Sequence, residues 1–495
     1  MSALRGPYSS EDCSGFAPDS LLCRTSVARH HLARRKDSDI FRFTTFSCKI
    51  LPRITIFVPF ERHPKAMTKS QFLIGAAASS SGKTTLTLGL LRAFARRGKR
   101  VQPFKCGPDY IDPQFHRLAA GSESINLDPF MATESHLRTL YARYGASADV
   151  CVAEGAMGLF DGYDRDRGSA AEIARTLRLP VVLVVDGRAT AFSAAPLLYG
   201  FSRFDPSVEI AGVIFNRVAS PSHYAHLKAA AEAAGIEPLG YLPRDEAFRI
   251  PSRHLGLSLE TLRTFDPVID AVANAAEHTV DLDRIEASTH REFPTEPPYE
   301  PLPTRSLKIA VARDEAFNFV YRANLDRLAE MGEVTFFSPL NDTVLPPCDL
   351  LYLPGGYPEF HLERLEANAV MRRAVAEYIE RGGRTLAECG GMMYLCQTIR
   401  DEAGRPHAMC GVLPLTATME GMRLHLGLRE IRYDSQSMRG HEFHYSRIEG
   451  EYPSAAQQYS ARGEAVATPV YRYKGLWASY THLYWSETDP LKLFE

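Results

Sequence analysis

Long apolar runs are missing from this sequence. Nowhere do the ~20 consecutive apolar residues of a membrane-spanning helix occur, so an integral helical membrane protein is excluded. Cysteine is sparse and unclustered: nine residues are scattered without one Cys-x-x-Cys pair. That argues against a thiolate zinc site or a disulfide framework and for a reducing compartment, taken to be the cytoplasm. Excess charge of either sign is also lacking, with 57 Lys and Arg against 59 Asp and Glu. A net charge of −2 recruits neither nucleic acid nor an anionic membrane. Internal repeats are absent. What remains is the composition of a soluble globular enzyme, 45% hydrophobic and 23% charged. At 495 residues it is too long for one ordinary core, so two or three domains are expected.

Residues 1–66 differ from the rest. They are rich in Arg, Ser and His, lack sustained periodicity and contain no secretory apolar segment, so a disordered extension is expected there. From Phe72 onward, short apolar runs alternate with helix-period stretches, as at residues 101–105, 149–153, 180–186 and 209–216. Such alternation predicts βαβ units and a mostly parallel sheet covered on both faces. Lys105, Glu154, Asp186 and Asn216 all fall where strands should end, and ligands gather at those ends. A proline-dense joint at residues 291–306 separates this first domain (67–290) from a second α/β alternation (307–495). The expected class is α/β, two doubly wound domains in series.

The strongest local signal runs from Phe72 to Arg100: an apolar strand, a loop of small residues at 75–82, then Lys83-Thr84-Thr85 opening a helix. This is the context of a phosphate-binding loop. Small residues let backbone N–H groups approach phosphate oxygens, and the helix N-terminus adds unpaired donors. Lys83 is placed to reach the β- and γ-phosphates, and the Thr84 hydroxyl is the natural Mg²⁺ ligand. The usual first glycine is Ala77 here. Glu154, ending a later strand in Glu-Gly-Ala-Met-Gly-Leu-Phe-Asp-Gly, supplies a second Mg²⁺ ligand. Asp109 and Asp112 lie between prolines on the loop after Lys105, a pattern open to a catalytic or a plain turn reading. Lys105 itself suits a phosphate or a substrate carboxylate.

Taken together, GKTTLTLGLLRAF, PFKCGPDYIDPQFH, AEGAMGLFDG and the strand ending at Asn216 resemble the ATP-binding half of the cobyrinic acid a,c-diamide synthase family, itself related to dethiobiotin synthetase. The resemblance implies that Gly82, Lys83, Thr84 and Thr85 hold the phosphates of ATP and that Thr84 and Glu154 bind Mg²⁺. It further implies that Asn216 faces the adenine, while the loop from Asp109 to Asp112, with Asp161, serves the corrinoid carboxylate and its activation.

In the second half, Cys389 stands between a buried strand and a helix in Leu-Ala-Glu-Cys-Gly-Gly-Met-Met. A strand-to-helix turn exposes a thiol, and a helix N-terminus favours the thiolate. A cysteine nucleophile needs a base, commonly His, and among sixteen histidines the most strand-embedded is His482. His441 and His444 form the rival cluster, with a metal pair as an alternative. Gly355 and Gly356, ending another strand, suit backbone donation to an oxyanion. These features resemble the class I, triad-type glutamine amidotransferase domain fused to cobyrinate-type synthases, which has a flavodoxin-like fold. The resemblance implies Cys389 as nucleophile, His482 as base and Gly355-Gly356 at the oxyanion. Many such domains carry Glu two residues after the His; here that residue is Tyr484, leaving a dyad unless another carboxylate, such as Glu442, orients the imidazole.

The implied activity is an ATP- and glutamine-dependent amide ligase acting on cobyrinic or hydrogenobyrinic acid in cobalamin biosynthesis. Its partners would be small molecules alone, with neither nucleic acid nor membrane, and the assembly a monomer or a homodimer. Cobyric acid synthase and nickel-sirohydrochlorin a,c-diamide synthase are the alternatives within the class. From another class, a P-loop switch ATPase with a non-catalytic second domain stays open.

Overall fold

The computed structural model describes residues 67–249, 264–295, 305–434 and 436–495. The expected extension at 1–66 and most of the proline-rich joint, 296–304, lie outside the described residues. The first domain runs β1 (Thr68–Ala76), α1 (Lys83–Arg96), β2 (Val101–Cys106), α2 (Asp112–Ala120), β3 (Ile125–Leu127), α3 (Glu134–Gly145), β4 (Val150–Glu154), α4 (Ala170–Leu177), β5 (Val181–Asp186), α5 (Ala194–Phe204), β6 (Ile210–Val218), α6 (Pro221–Ala233) and β7 (Pro238–Pro243). These strands form a parallel sheet in the order β3-β2-β4-β1-β5-β6-β7. Strand β1 is its centre, in register with β4 (Ile74 opposite Glu154) and with β5 (Gly75 opposite Leu183).

The reason for the sheet is visible in β1 and β5. Alternate residues feed two cores: Phe72 and Ile74 pack with Leu86 and Leu90 of α1, while Leu73 packs with Phe104, Leu183 and Phe215 on the opposite face. A strand buried on both faces must be apolar throughout, and Val-Val-Leu-Val-Val of β5 is. Helix α1 is held on its face by the helix Asp266–Thr279. The joint begins later than its prolines suggest. His290–Glu292 form β8, antiparallel to β1, and Phe293 is buried against Tyr141, with the Lys69 ammonium 3.9 Å from its ring centre. Arg291 and Glu292, expected in the linker, are therefore part of the first sheet.

The second domain opens with β9 (Leu307–Ala312), β10 (Gly332–Phe337), β11 (Leu350–Leu353) and β12 (Arg384–Glu388). It continues with β13 (Cys396–Arg400), β14 (Pro406–Ala408), β15 (Leu413–Thr418), β16 (His425–Tyr433), β17 (Gln436–His444) and β18 (Arg447–Glu449). The last strands are β19 (Gln457–Ser460), β20 (Ala465–Val466), β21 (Val470–Tyr473), β22 (Leu476–Ser479) and β23 (His482–Tyr484). The doubly wound part is the sheet β10-β9-β11-β12-β22-β21, as expected, with only β21 antiparallel. Two further sheets, β14-β13-β15-β18 and β20-β19-β16-β17-β23, fill residues 396–466 and the end of the chain. Nothing in the strand-helix alternation announced them.

Both domains belong to one compact unit. The core on one face of the first sheet continues without a break into Phe319, Tyr321, Tyr357 and Tyr484 of the second domain. Polar contacts follow the same seam: His136 Nε2 to Ser486 Oγ at 2.9 Å, Thr133 Oγ1 to Glu487 Oε2 at 2.6 Å, and Arg439 Nη1 to the Phe130 carbonyl at 3.0 Å.

Candidate functional site

Two centres emerge, one in each domain. The first lies where β1, β2, β4 and β6 end, in a cavity of about 790 Å³ lined by the phosphate-loop residues, Lys105, Asp109, Asp112, Glu154 and Asn216. Gly82 takes the left-handed conformation, φ 91°, immediately before α1. Its lack of a side chain is required, because a Cβ there would lie 1.9 Å from Asn216 Nδ2. Asn216 donates to the Ser81 carbonyl at 2.9 Å and so braces the loop. Lys83 donates to the Met157 carbonyl, linking the phosphate loop to the Glu154–Gly162 segment. Burial holds the Lys83 pKa below the usual lysine value, with Glu154 opposing.

Beside it sits a buried charge cluster. Lys105 Nζ lies 2.5 Å from Asp112 Oδ2, 3.1 Å from Glu154 Oε1 and 3.8 Å from Asp109 Oδ2. Burial alone would discharge this ammonium, but Asp112 and Glu154 outweigh it and keep the pKa above the ordinary lysine value. Glu154, 1% exposed, accepts from Thr84 Oγ1 at 2.6 Å, and its other oxygen is 2.6 Å from His116 Nε2. Burial would raise its pKa; Lys105 and His116 reverse that and hold it as a carboxylate. The side-by-side Thr84 hydroxyl and Glu154 carboxylate at the mouth of the phosphate loop are hard oxygen donors that fit a Mg²⁺ ion. Among the described residues no group of three or more His, Cys, Asp or Glu forms a metal cage, which is usual where a metal arrives with a nucleotide.

His116 went unnoticed in the sequence. The signal was there: it follows Asp112 by four residues on α2, so both face the same way. Asp161 does not line this cavity, although its charge acts on Lys83 within it. It is exposed and accepts the Gly158 N–H at 2.9 Å, closing the turn after Glu154.

The second centre forms where β12, β11 and β23 meet. Cys389 adopts φ 46° and ψ −109°, a strained turn for a residue with a side chain. Glycines must follow it, since a Cβ on Gly391 would stand 2.1 Å from the Leu353 carbonyl oxygen. The thiol does not match the expectation of a favoured thiolate: it is buried, and burial, with the Glu359 charge adding, pushes its pKa well above the ordinary value. The six-residue helix behind it does not offset that loss of water.

His482 is brought to Cys389 at one point. A Cβ on Gly355 would lie 2.1 Å from His482 Cε1 and 3.2 Å from Cys389 Cβ, so both side chains converge on that glycine. Gly356 lines the same small pocket as Cys389. Burial, with His441 and His444 adding, holds His482 far below the usual imidazole pKa and therefore neutral. Among the described residues neither ring nitrogen has a hydrogen-bond partner. Glu442 does not orient it: its carboxylate binds Arg429 Nε at 2.6 Å and His444 Nε2 at 2.7 Å instead. His441 and His444, three apart on β17, point to opposite faces and do not form a metal pair; His441 Nδ1 bonds the Tyr321 hydroxyl at 2.8 Å.

The loop that carries Asp109 and Asp112 reaches the second centre through Tyr110. Tyr110, between Asp109 and Asp112, packs its ring 5.2 Å from His482 and 5.1 Å from Phe319, centre to centre.

Comparison with known proteins agrees with this division. Residues 72–257 match the CobQ/CobB/MinD/ParA nucleotide-binding domain, and residues 308–490 match the CobB/CobQ-like glutamine amidotransferase domain. A hydrogenobyrinate a,c-diamide synthase of Pseudomonas aeruginosa is 42% identical over 417 residues, 83% of this chain and 94% of that protein. Its counterpart in Brucella abortus is 43% identical over 389 residues, 76% and 89% respectively. A cobyrinate a,c-diamide synthase of Listeria monocytogenes is 40% identical over 435 residues, 84% and 96%. Among the described residues no helix is long and apolar enough to cross a membrane. At this identity over nearly the whole length of its relatives, the chain belongs to the cobyrinate and hydrogenobyrinate a,c-diamide synthase family.

Proposed function

We propose that this protein amidates the a and c acetate side chains of cobyrinic or hydrogenobyrinic acid in cobalamin biosynthesis, with glutamine as nitrogen donor and ATP as energy source. The observation that carries this is the presence, in one compact unit, of a phosphate loop opening on the Lys105–Asp112–Glu154 cluster and a buried Cys389–His482 pair. The relatives' names supply the substrate class.

In the second centre, Cys389 Sγ attacks the carboxamide carbon of glutamine. Neutral His482 takes the thiol proton and returns it to the departing ammonia. Backbone groups of Gly355 and Gly356 flank the developing oxyanion. Water then hydrolyses the thioester to glutamate. In the first centre, Gly82, Thr85 and Lys83 hold the ATP phosphates and Asn216 faces the base. Thr84 and Glu154 would hold Mg²⁺, which neutralises phosphate charge when bound. Asp109 and Asp112 position the corrinoid carboxylate, with Lys105 between them. That carboxylate takes the γ-phosphoryl group, and ammonia displaces phosphate from the acyl phosphate. Asp161 closes the turn after Glu154, and its charge favours the Lys83 ammonium. The reaction implies a cytoplasmic setting and small-molecule partners only, and a homodimer is the assembly to check by sedimentation.

The test offers ATP, Mg²⁺ and glutamine with cobyrinic acid, hydrogenobyrinic acid or nickel-sirohydrochlorin, and follows mass. Two successive amidations of a corrinoid acid, each requiring ATP and glutamine, are expected. Amidation of nickel-sirohydrochlorin alone would move the substrate. ATP hydrolysis with neither glutamine use nor amidation would return the protein to the switch ATPases.

A further inference from the structure

We propose that Tyr110 is a positioning residue of the glutamine-hydrolysing centre, contributed by the substrate loop of the other domain, so that glutamine turnover answers to the occupant of that loop. The inference rests on Cys389 and His482 being the glutaminase pair, and it adds a residue that neither centre requires by itself.

The His482 ring, 0% exposed, has no hydrogen bond among the described residues to fix it. Its orientation is therefore set by packing. Its neighbours are His441, stacked at 5.0 Å and 17°, Phe319 at 6.1 Å, the bare Gly355, and Tyr110 at 5.2 Å. Of these only Tyr110 comes from the first domain. It is 7% exposed, and its ring also stacks on Phe319 and lies 4.6 Å from Tyr321. The hydroxyl of Tyr321, on whose ring Tyr110 packs, lies 2.8 Å from His441 Nδ1, so the second wall of the His482 slot belongs to the same aromatic cluster.

At its other end the residue is rigidly coupled to charge. Asp109 Oδ1 accepts the N–H groups of Ile111 and Asp112 at 2.8 and 2.9 Å, and Asn126 Nδ2 donates to the Asp109 carbonyl at 2.8 Å. Asp112 is bonded to Lys105 at 2.5 Å. A loop so stiff cannot change the pairing of Asp109 and Asp112 without turning the peptide that carries Tyr110. Anything that competes for those carboxylates or for Lys105, such as a substrate carboxylate or a phosphoryl group, therefore moves one wall of the His482 slot. Packed sites respond to such small shifts by switching between arrangements.

The experiment compares full-length Tyr110→Leu and Tyr110→Phe with the parent protein. Four readings are taken: glutamine hydrolysis alone, glutamine hydrolysis with ATP and corrinoid, glutamine-driven amidation, and amidation driven by free ammonia. Tyr110→Leu should lower kcat for glutamine-driven amidation at least tenfold more than that for ammonia-driven amidation, with KM for glutamine little changed. Tyr110→Phe, which keeps the ring and its packing on His482, Phe319 and Tyr321, should recover both basal glutamine hydrolysis and its response to ATP and corrinoid. Equal losses with glutamine and with ammonia, or no loss in either variant, would overturn the proposal; ammonia-driven activity reports that each variant is folded. Cys389→Ala separates the two levels: if it keeps glutamine-driven synthesis, the glutaminase reading fails whatever Tyr110 does.

Discussion

Gly355 occupies the space on which the His482 and Cys389 side chains converge. A methyl group there would stand 2.1 Å from the imidazole carbon, far inside contact distance, and the imidazole has no room to retreat between His441 and Tyr110. Gly355→Ala is therefore expected to lower glutamine-driven amidation more than a hundredfold while ammonia-driven amidation persists, measured on the same preparation. Glu388, beside Cys389, makes a different prediction. Its carboxyl is buried, accepts from Leu483 N at 3.0 Å and from the Tyr352 hydroxyl at 2.7 Å, and burial pushes its pKa up to about 8. Above pH 4.5 the unfolded chain releases this proton and the folded one retains it, so stability declines until about pH 8. Glu388→Gln removes that decline. Urea midpoints at pH 5 and pH 8 should show the variant gaining on the parent at the higher pH; an unchanged difference would mean that Glu388 is ionised in the fold. Single residues were legible in the sequence where a local signature marked them, as at Lys83, Cys389 and Gly355. His116 was not, and Glu442 was matched to the wrong imidazole, because which groups a carboxylate meets is decided by strands and helices distant in the chain.

Elements owe their positions to where side chains are absent as much as to where they are apolar. Helix α1 lies close against the helix Asp266–Thr279 because Gly89 faces Val272: a Cβ there would be 2.5 Å from Val272 Cγ1 and 3.3 Å from its carbonyl carbon. Gly89→Val should cost about 1–3 kcal/mol, the usual penalty of overpacking. It should show in the denaturant midpoint, and it should weaken ATP binding because α1 carries Lys83 and Thr84. The strands of the parallel sheets were readable because burial on both faces demands unbroken apolar runs, as in β5 and β9. Strand β3 has only three residues, and β7 carries prolines at both ends. Antiparallel strands such as β16 and β20 consist mostly of exposed and half-buried positions, so their sequences carry little contrast. Strand β8 was concealed by the prolines that follow it.

At the scale of the whole molecule the two domains share one hydrophobic core. Separating them would expose Phe319, Tyr321, Tyr357 and Tyr484, all under 9% exposed in place. The expected outcome is a single cooperative transition in scanning calorimetry, with residues 305–495 alone insoluble or aggregated. Two resolved transitions, the lower one matching an isolated domain, would count against this. The division into two domains was legible from the joint. Their fusion was not, because an aromatic such as Tyr110 gives no sign in sequence that its neighbours lie hundreds of residues away.

The placement of His482 has a temporal side. It stands on the last strand of the fold, long after Cys389 in the order of synthesis, and β23 is pinned between β17 and the Asn324 side chain, which bonds both Leu483 and Trp485. On the roles proposed for Cys389 and His482, a chain terminated before β23 is made lacks the base for its cysteine and cannot spend glutamine.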